Sequence, residues 1–253
     1  MITLPRAGLR TVLLVLVTFL SYLGVLLLLP LRSAAPSFHL RWRNRVFRFW
    51  ARGMCRGFGA RVRVEGKPPV GPFFLVSNHV SYVDIPLLAS GIHGSFVAKA
   101  DLAGWPLIGR AFRVADTIFI DRGRKRDLLR VITEVDASLA RNLGVVLFPE
   151  GTSGKGDCIL PLKPSILDLA ARRGMPVHYA NITYTTPDGE PPPSRSVCWW
   201  GDEAFFPHFK RLIVLPWFEA VVRFADEPIA AADRKELAAK LHGALDQAHE
   251  PMP

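Results

Sequence analysis

Acidic residues are missing from the first quarter of this 253-residue chain. No Asp or Glu precedes Glu65, whereas eleven arginines do: 6, 10, 32, 41, 43, 45, 48, 52, 56, 61 and 63. With those set aside, 21 basic residues face 22 acidic ones, so the net charge of +10 belongs to the N-terminal quarter. Cysteine is scarce as well. Cys55, Cys158 and Cys198 are odd in number and in no ligand-like spacing, and the seven histidines form no HExxH pair, so neither a disulfide framework nor a metal site is expected. A nucleophile elbow is also lacking, because Gly151-Thr152-Ser153-Gly154-Lys155 has no second glycine where GxSxG needs one. Nor is there a phosphate loop of the NTPase kind: Gly156 is followed by Asp157, where Lys and Ser/Thr would be required.

One stretch with no charge at all is Thr11–Leu31. Twenty-one residues of helix reach about 30 Å, enough to cross a hydrocarbon core. A cleaved signal has a shorter apolar region of ~7–15 residues, so a retained membrane anchor is the expectation. Arginines are more numerous on the C-terminal side of the run than before it, which points to an inner (cytoplasmic) membrane with the rest of the chain on the cytoplasmic face. Hydropathy leaves open whether the segment spans or folds back near Gly24. Beyond it, Arg41, Arg45, Arg48, Arg52 and Arg56 share one helical stripe beside Trp42, Val46, Phe49, Trp50 and Met54. A basic amphipathic helix next to an anchor fits an anionic lipid surface. No nucleic-acid recognition fold accompanies it, so membrane lipids rather than nucleic acid are the expected partner.

The remainder alternates strand and helix patterns. Strand candidates are Arg61–Val64, Phe73–Ser77, Ser95–Ala98, Thr117–Ile120, Val145–Phe148, Val177–Thr183, Ser196–Trp200 and Glu219–Phe224. Helical spacing links Leu128, Ile132, Val135 and Leu139, then Ile166, Leu169 and Ala170, and finally Leu237, Leu241 and Leu245 within 233–247. The predicted fold class is α/β: a mixed sheet covered by helices, with an N-terminal membrane-anchoring helical segment. Two regions are expected, an anchor with its basic helix over 1–58 and an α/β domain over 59–253.

Three polar clusters follow three strand candidates. Asn78-His79-Val80-Ser81-Tyr82-Val83-Asp84 follows Phe73–Ser77; Asp121-Arg122 follows Thr117–Ile120; Pro149-Glu150-Gly151-Thr152-Ser153 follows Val145–Phe148. Clusters after strands gather at one edge of an open α/β sheet, where sites form. Five residues is a poor spacing for one helix face, but a turn entering a helix lets Asp84 fold back on His79. The carboxylate then fixes the tautomer and leaves the other ring nitrogen to take a proton. A polar loop contact is the alternative for an isolated His and Asp.

NHVSYVD, IFIDR and FPEGTS, in this order and spacing, resemble the motif series of the glycerophospholipid acyltransferase family, whose best-known members are 1-acylglycerol-3-phosphate O-acyltransferases. The resemblance covers about Glu65 to Tyr184. Trp199-Trp200-Gly201-Asp202 with Pro207-His208 also resembles a bacterial branch of lyso-ornithine lipid O-acyltransferases. The resemblance implies that His79 deprotonates an acceptor hydroxyl, which attacks an acyl thioester, and that Asp84 orients His79. It implies substrate-side roles for Asn78, Ser81, Lys99, Arg122, Glu150, Gly151 and Thr152, and an acyl-pocket role for Pro176-Val177. Residue-level alternatives are loop hydrogen bonds for Ser81 and Asn78, a solvated turn for Arg122 and a surface lysine for Lys99.

The implied function is a membrane-bound O-acyltransferase with no cofactor, taking acyl groups from acyl-CoA or acyl carrier protein. The expected acceptor is 1-acylglycerol-3-phosphate, and lyso-ornithine lipid is the alternative. Ser153 stands where many phosphatidate-forming members carry Arg, which weakens the case for a phosphate-bearing acceptor. A serine lipid hydrolase and a non-enzymatic lipid-surface protein are the competing classes.

Overall fold

A computed structural model describes residues 3–104, 109, 112–113, 115–121 and 127–253. Among them, seven strands form a single sheet in the order β1-β7-β6-β2-β5-β3-β4. They are β1 (Ala60–Glu65), β2 (Phe74–Ser77), β3 (Gly94–Lys99), β4 (Ile118–Ile120), β5 (Gly144–Leu147), β6 (Val177–Thr185) and β7 (Phe218–Phe224). Strands β6, β2, β5, β3 and β4 run parallel; β7 is antiparallel to β6, and β1 is parallel to β7. The sheet is therefore mixed. Its parallel block brings the ends of β2, β5, β3 and β4 to one edge.

Helices cover both faces: α1 (Thr3–Leu26), α2 (Leu31–Ala34), α3 (Pro36–Phe58), α4 (Asp84–Ala89), α5 (Asp127–Ala140), α6 (Asp168–Arg172), α7 (Pro193–Ser196), α8 (Phe205–Val214) and α9 (Arg234–Gln247). Central strands β2 and β5 are buried along their whole length, as a parallel strand covered on both faces requires. Alternation along β2 divides the core. Leu75 packs with Leu14, Phe58, Leu87 and Leu212, while Phe74 and Val76 pack with Val131, Val135, Leu167 and Leu241. Each fully buried aliphatic side chain contributes roughly 1.5–3 kcal/mol.

The N-terminal segment folds back on itself. The uncharged run Thr11–Leu31 corresponds to α1, which begins earlier, at Thr3, and stops at Leu26. Pro30 explains the early stop, because it has no N–H to donate to the Leu26 carbonyl four residues back and its ring crowds that carbonyl. Helix α3 then returns along α1. Trp42 Nε1 donates to the Gly24 carbonyl at 2.8 Å, and Trp50 Nε1 to Thr18 Oγ1 at 3.3 Å. Gly53 and Gly57 allow this approach, since a Cβ at either would come within 2.5 Å of Val17 or Leu14. The opposite face of α1 is bare: Leu9, Val12, Leu16, Phe19 and Leu23 are all exposed. Over Leu4–Leu26 the helix is long and apolar enough to cross a membrane.

One expectation about the elements changes, and one element is new. Ser196–Trp200 is not a strand. Pro193 opens the short helix α7, and the N–H groups of Val197 and Cys198 both bond back to the Pro193 carbonyl at 2.9 and 2.8 Å. The apolar residues of this run serve burial instead, Val197 and Cys198 being sealed in the core. Helix α8 is an element that the hydrophobic pattern did not reveal. At the far end of the chain, α9 matches its predicted range, with Asp233 capping it by accepting from Lys235 N at 2.9 Å and Glu236 N at 3.0 Å.

Candidate active site

His79 lies two residues past β2, and Asp84 opens α4. The turn between them folds the carboxylate back onto the ring, with His79 Nδ1 and Asp84 Oδ2 at 2.7 Å. The same Oδ2 accepts the N–H groups of Val80 at 2.8 Å and Ser81 at 2.9 Å. Oδ1 accepts the Tyr184 hydroxyl at 2.6 Å. Asp84 is completely buried, whereas the His79 side chain keeps 21% of its surface open. A carboxylate surrounded by donors puts the ring proton on Nδ1 and leaves Nε2 as the basic nitrogen. That nitrogen makes no hydrogen bond among the described residues. The imidazole is also stacked on Phe148, with ring centroids 4.2 Å apart and planes 21° apart.

The loop after β5 is tied to the loop after β2 at several points. Glu150 Oε1 accepts His79 N–H at 2.7 Å, and Gly154 N–H donates to the His79 carbonyl at 2.8 Å. Glu150 Oε2 accepts Leu160 N–H at 3.1 Å. Burial pushes the Glu150 carboxyl up to about 7; the N–H donors of His79 and Leu160 and the charge of His79 oppose the rise, and Asp84 adds to it. Gly151 turns the loop at φ +72°, a conformation that favours glycine. Its N–H bonds to the Phe148 carbonyl at 3.1 Å, leaving the exposed Thr152 at the tip.

A third segment, 197–199, closes the site from the side. Trp199 N–H donates to the Val80 carbonyl at 2.8 Å, Ser81 Oγ donates to the Val197 carbonyl at 2.7 Å, and Ser153 Oγ donates to the Trp199 carbonyl. Below it, His208 bridges two groups: its Nδ1 pairs with the Tyr82 hydroxyl at 3.0 Å and its Nε2 with the Cys198 carbonyl at 2.9 Å. Burial lowers the pKa of His208, so the ring is held as a neutral link between these partners.

Residues 61–182, a block that contains both loops and most of the sheet, match a model of the acyltransferase family. A lyso-ornithine lipid O-acyltransferase of Brucella abortus is 33% identical over 211 residues, covering 78% of this chain and 79% of that protein. The chain belongs to the acyltransferase family. A second lyso-ornithine lipid O-acyltransferase, from Pseudomonas aeruginosa, is 30% identical over 228 residues, with 88% and 86% covered. The crystal structure of the 1-acyl-sn-glycerophosphate (LPA) acyltransferase PlsC from Thermotoga maritima shares the fold at a TM-score of 0.63 and 18% identity, covering 94% of this chain and 95% of that one. The enzyme is thus an acyltransferase with a PlsC-like mixed α/β fold.

The structure gathers His79, Asp84, Glu150, Gly151 and Thr152 at one edge of the sheet. Lys99 ends β3 on the same edge and is exposed. Asn78 and Ser81 sit behind the site instead of in it. Asn78 Nδ2 donates to the Ile182 carbonyl at 2.9 Å and its Oδ1 accepts Ile182 N–H at 2.7 Å, so both ends of the amide clamp β2 to β6. Ser81 is fully buried and its hydroxyl is directed to Val197, away from His79. Arg122 lies outside the described residues. Val177 begins β6 at the sheet edge opposite His79, buried and bridged to Ile229. Tyr184 and Phe148 are site residues that sequence reasoning missed: both are aromatic residues in apolar strand patterns, and nothing local distinguishes them from core.

Proposed function

We propose that this acyltransferase moves a fatty acyl group from a thioester, acyl-CoA or acyl carrier protein, to the hydroxyl of a lysolipid, with His79 as general base. The observation carrying this reading is the 2.7 Å contact between His79 Nδ1 and the buried Asp84 carboxylate beside an open Nε2. Nε2 accepts the hydroxyl proton as the oxygen attacks the thioester carbonyl. Asp84 stabilises the imidazolium, which returns its proton to the departing thiolate. A direct transfer of this kind uses no enzyme nucleophile and no cofactor. Lys99, Thr152 and the undescribed Arg122 remain the candidates for substrate contact, while Asn78, Ser81 and Glu150 act through the loops they brace.

For the acceptor we favour lyso-ornithine lipid. Ser153, at the position where a cation would serve a phosphate, is occupied in holding Trp199, and the two relatives above are lyso-ornithine lipid O-acyltransferases by name. The second reading, 1-acylglycerol-3-phosphate, rests on Arg122 and on the PlsC likeness. Side-by-side turnover of both lysolipids by purified enzyme decides between them. A clear preference for 1-acylglycerol-3-phosphate would reverse the assignment and leave the His79 chemistry untouched. Retention of activity within twofold in His79→Ala would reject that chemistry, since general-base assistance is worth ~10²–10⁴-fold.

We further propose that residues 1–58 attach the enzyme to the cytoplasmic face of the inner membrane and that 59–253 form the acyltransferase domain. The bare apolar face of α1 supports insertion into the bilayer surface, and the exposed Arg41, Arg45, Arg52 and Arg56 support contact with anionic headgroups. Because α1 is packed along α3 and its Arg6 and Arg10 bond to carbonyls of residues 213–216, the hairpin is read as lying on the membrane and not crossing it.

A further inference from the structure

We infer that Tyr184 is a positioning residue for the His79–Asp84 pair, fixing the aim of the carboxylate and moderating the basicity of the imidazole. The inference rests on the general-base reading of His79 and adds a third group to it. Tyr184 belongs to β6, the direct neighbour of β2 in the sheet but 100 residues along the chain from Asp84, so its placement has to be built. The Asn78 amide does this: it brackets Ile182 from both sides, two residues before Tyr184 and on the same strand face. Edge-on packing against Phe218, with centroids 5.7 Å apart, holds the ring from its other side.

The carboxylate itself is asymmetric. Oδ2 takes three donors, from His79, Val80 and Ser81, whereas Oδ1 takes the Tyr184 hydroxyl alone among the described residues. With no solvent reaching Asp84, that single bond decides how much charge remains to face the imidazole. Donation to Oδ1 draws charge away from Oδ2, so the imidazolium formed in the reaction gains less from the carboxylate. Loss of the donor would concentrate charge toward Nδ1 and raise the ring's proton affinity. Tyr184 is suited to donate, because burial and the Asp84 charge push its own pKa well above the usual phenol value.

Other titratable groups near this chain are few. Glu150 faces His79 through the backbone. The thiols of Cys55 and Cys198 lie within electrostatic range of Tyr184, and burial raises both, Cys55 to about 12. All three are retained in the variants below, so any change in the pH profile reports the hydroxyl.

The experiment compares wild type, Tyr184→Phe and the enzyme with 3-fluorotyrosine at position 184, a stronger donor of the same shape. In Tyr184→Phe we expect kcat to fall about tenfold, in keeping with loss of one hydrogen bond to a charged group. Donor and acceptor KM should stay within about twofold, and the acid limb of the kcat/KM profile should move to higher pH. Fluorotyrosine should move that limb the opposite way. A limb that stays in place in the fluorotyrosine enzyme overturns the inference, and that arm stands even if Tyr184→Phe does not fold. His79→Ala is run alongside: if it stays active the general-base reading has failed, whereas an inactive His79→Ala with an unmoved limb defeats only the role of Tyr184.

Discussion

The Glu150 carboxylate holds the backbone N–H of His79 at 2.7 Å, making the loops after β2 and β5 a single unit. Because Oε2 holds Leu160 N–H as well, the side chain works as a bracket between main-chain segments. Its proton, however, costs the fold something at neutral pH.

Burial raises the Glu150 carboxyl from an ordinary 4.5 to about 7. For a group raised in the folded state, the contribution to stability is full below its unfolded pKa and is lost as pH rises through the folded one. Stability should therefore decline between about pH 4.5 and pH 7 by up to about 3 kcal/mol from this residue. Glu150→Gln cannot titrate, so its urea midpoints at pH 5 and pH 8 should lie closer together than those of wild type. The variant will also be weaker at pH 5, because one face of the amide meets an N–H donor. Equal pH slopes in the two proteins would remove the buried carboxyl as the cause.

Much of this was legible in the sequence, and the exceptions share a physical origin. The strands β2, β5, β6 and β7 announced themselves because their apolar runs are short and end in Pro, Gly or polar residues. His79 and Asp84 were legible because a strand followed by a turn into a helix brings positions five apart together. Ser196–Trp200 misled because its residues suit a strand equally well, and only the preceding prolines redirect their N–H groups. Tyr184 was hidden for a different reason: its partner is 100 residues away, and strand register is set by long-range pairing that no local pattern contains. Glu150 read as a substrate ligand because a carboxylate in a motif suggests contact, whereas burial and two N–H donors make it a brace.

Asp84→Asn isolates the electrostatic half of the dyad. The new amide must turn its NH₂ either toward the donors of His79, Val80 and Ser81 or toward Tyr184, and each choice sets donor against donor. Turnover should fall by at least ~100-fold, the low end of general-base assistance, with acceptor KM nearly unchanged. Stability should fall too, by about 1–3 kcal/mol for the unsatisfied buried group. A variant that folds normally and keeps its rate would show that the carboxylate is not what makes His79 effective.

Arg10 ties the hairpin to the segment that follows α8. Its guanidinium donates to the carbonyls of Leu215 at 2.6 Å and Pro216 at 2.7 Å, just past the C-terminus of α8. A cation there also complements the helix dipole. Arg10→Ala should cost roughly 1.5–3 kcal/mol, and hydrogen exchange should quicken at residues 212–218 while the sheet centre stays protected. Unchanged exchange at those residues would mean that the two parts hold together without it.

The arginine stripe gives the last prediction, and the structure narrows which residues to change. Arg48 is in contact with His93 Nε2 at 2.6 Å and is half-buried, so altering it would disturb packing as well as charge. Arg41, Arg45, Arg52 and Arg56 are exposed, and their replacement by Gln keeps helix propensity. Each basic side chain near an anionic surface is worth about 1 kcal/mol, so the fourfold variant should bind anionic vesicles at least ~100-fold less well at low salt. Binding to zwitterionic vesicles depends on the bare face of α1 and should be nearly unaffected. Raising the ionic strength should bring wild type and variant together on anionic vesicles, because exposed charges are screened over about 10 Å at 0.1 M salt. If the variant and wild type bind anionic vesicles equally in low salt, the stripe is a solvated helix face and the apolar face of α1 alone carries attachment.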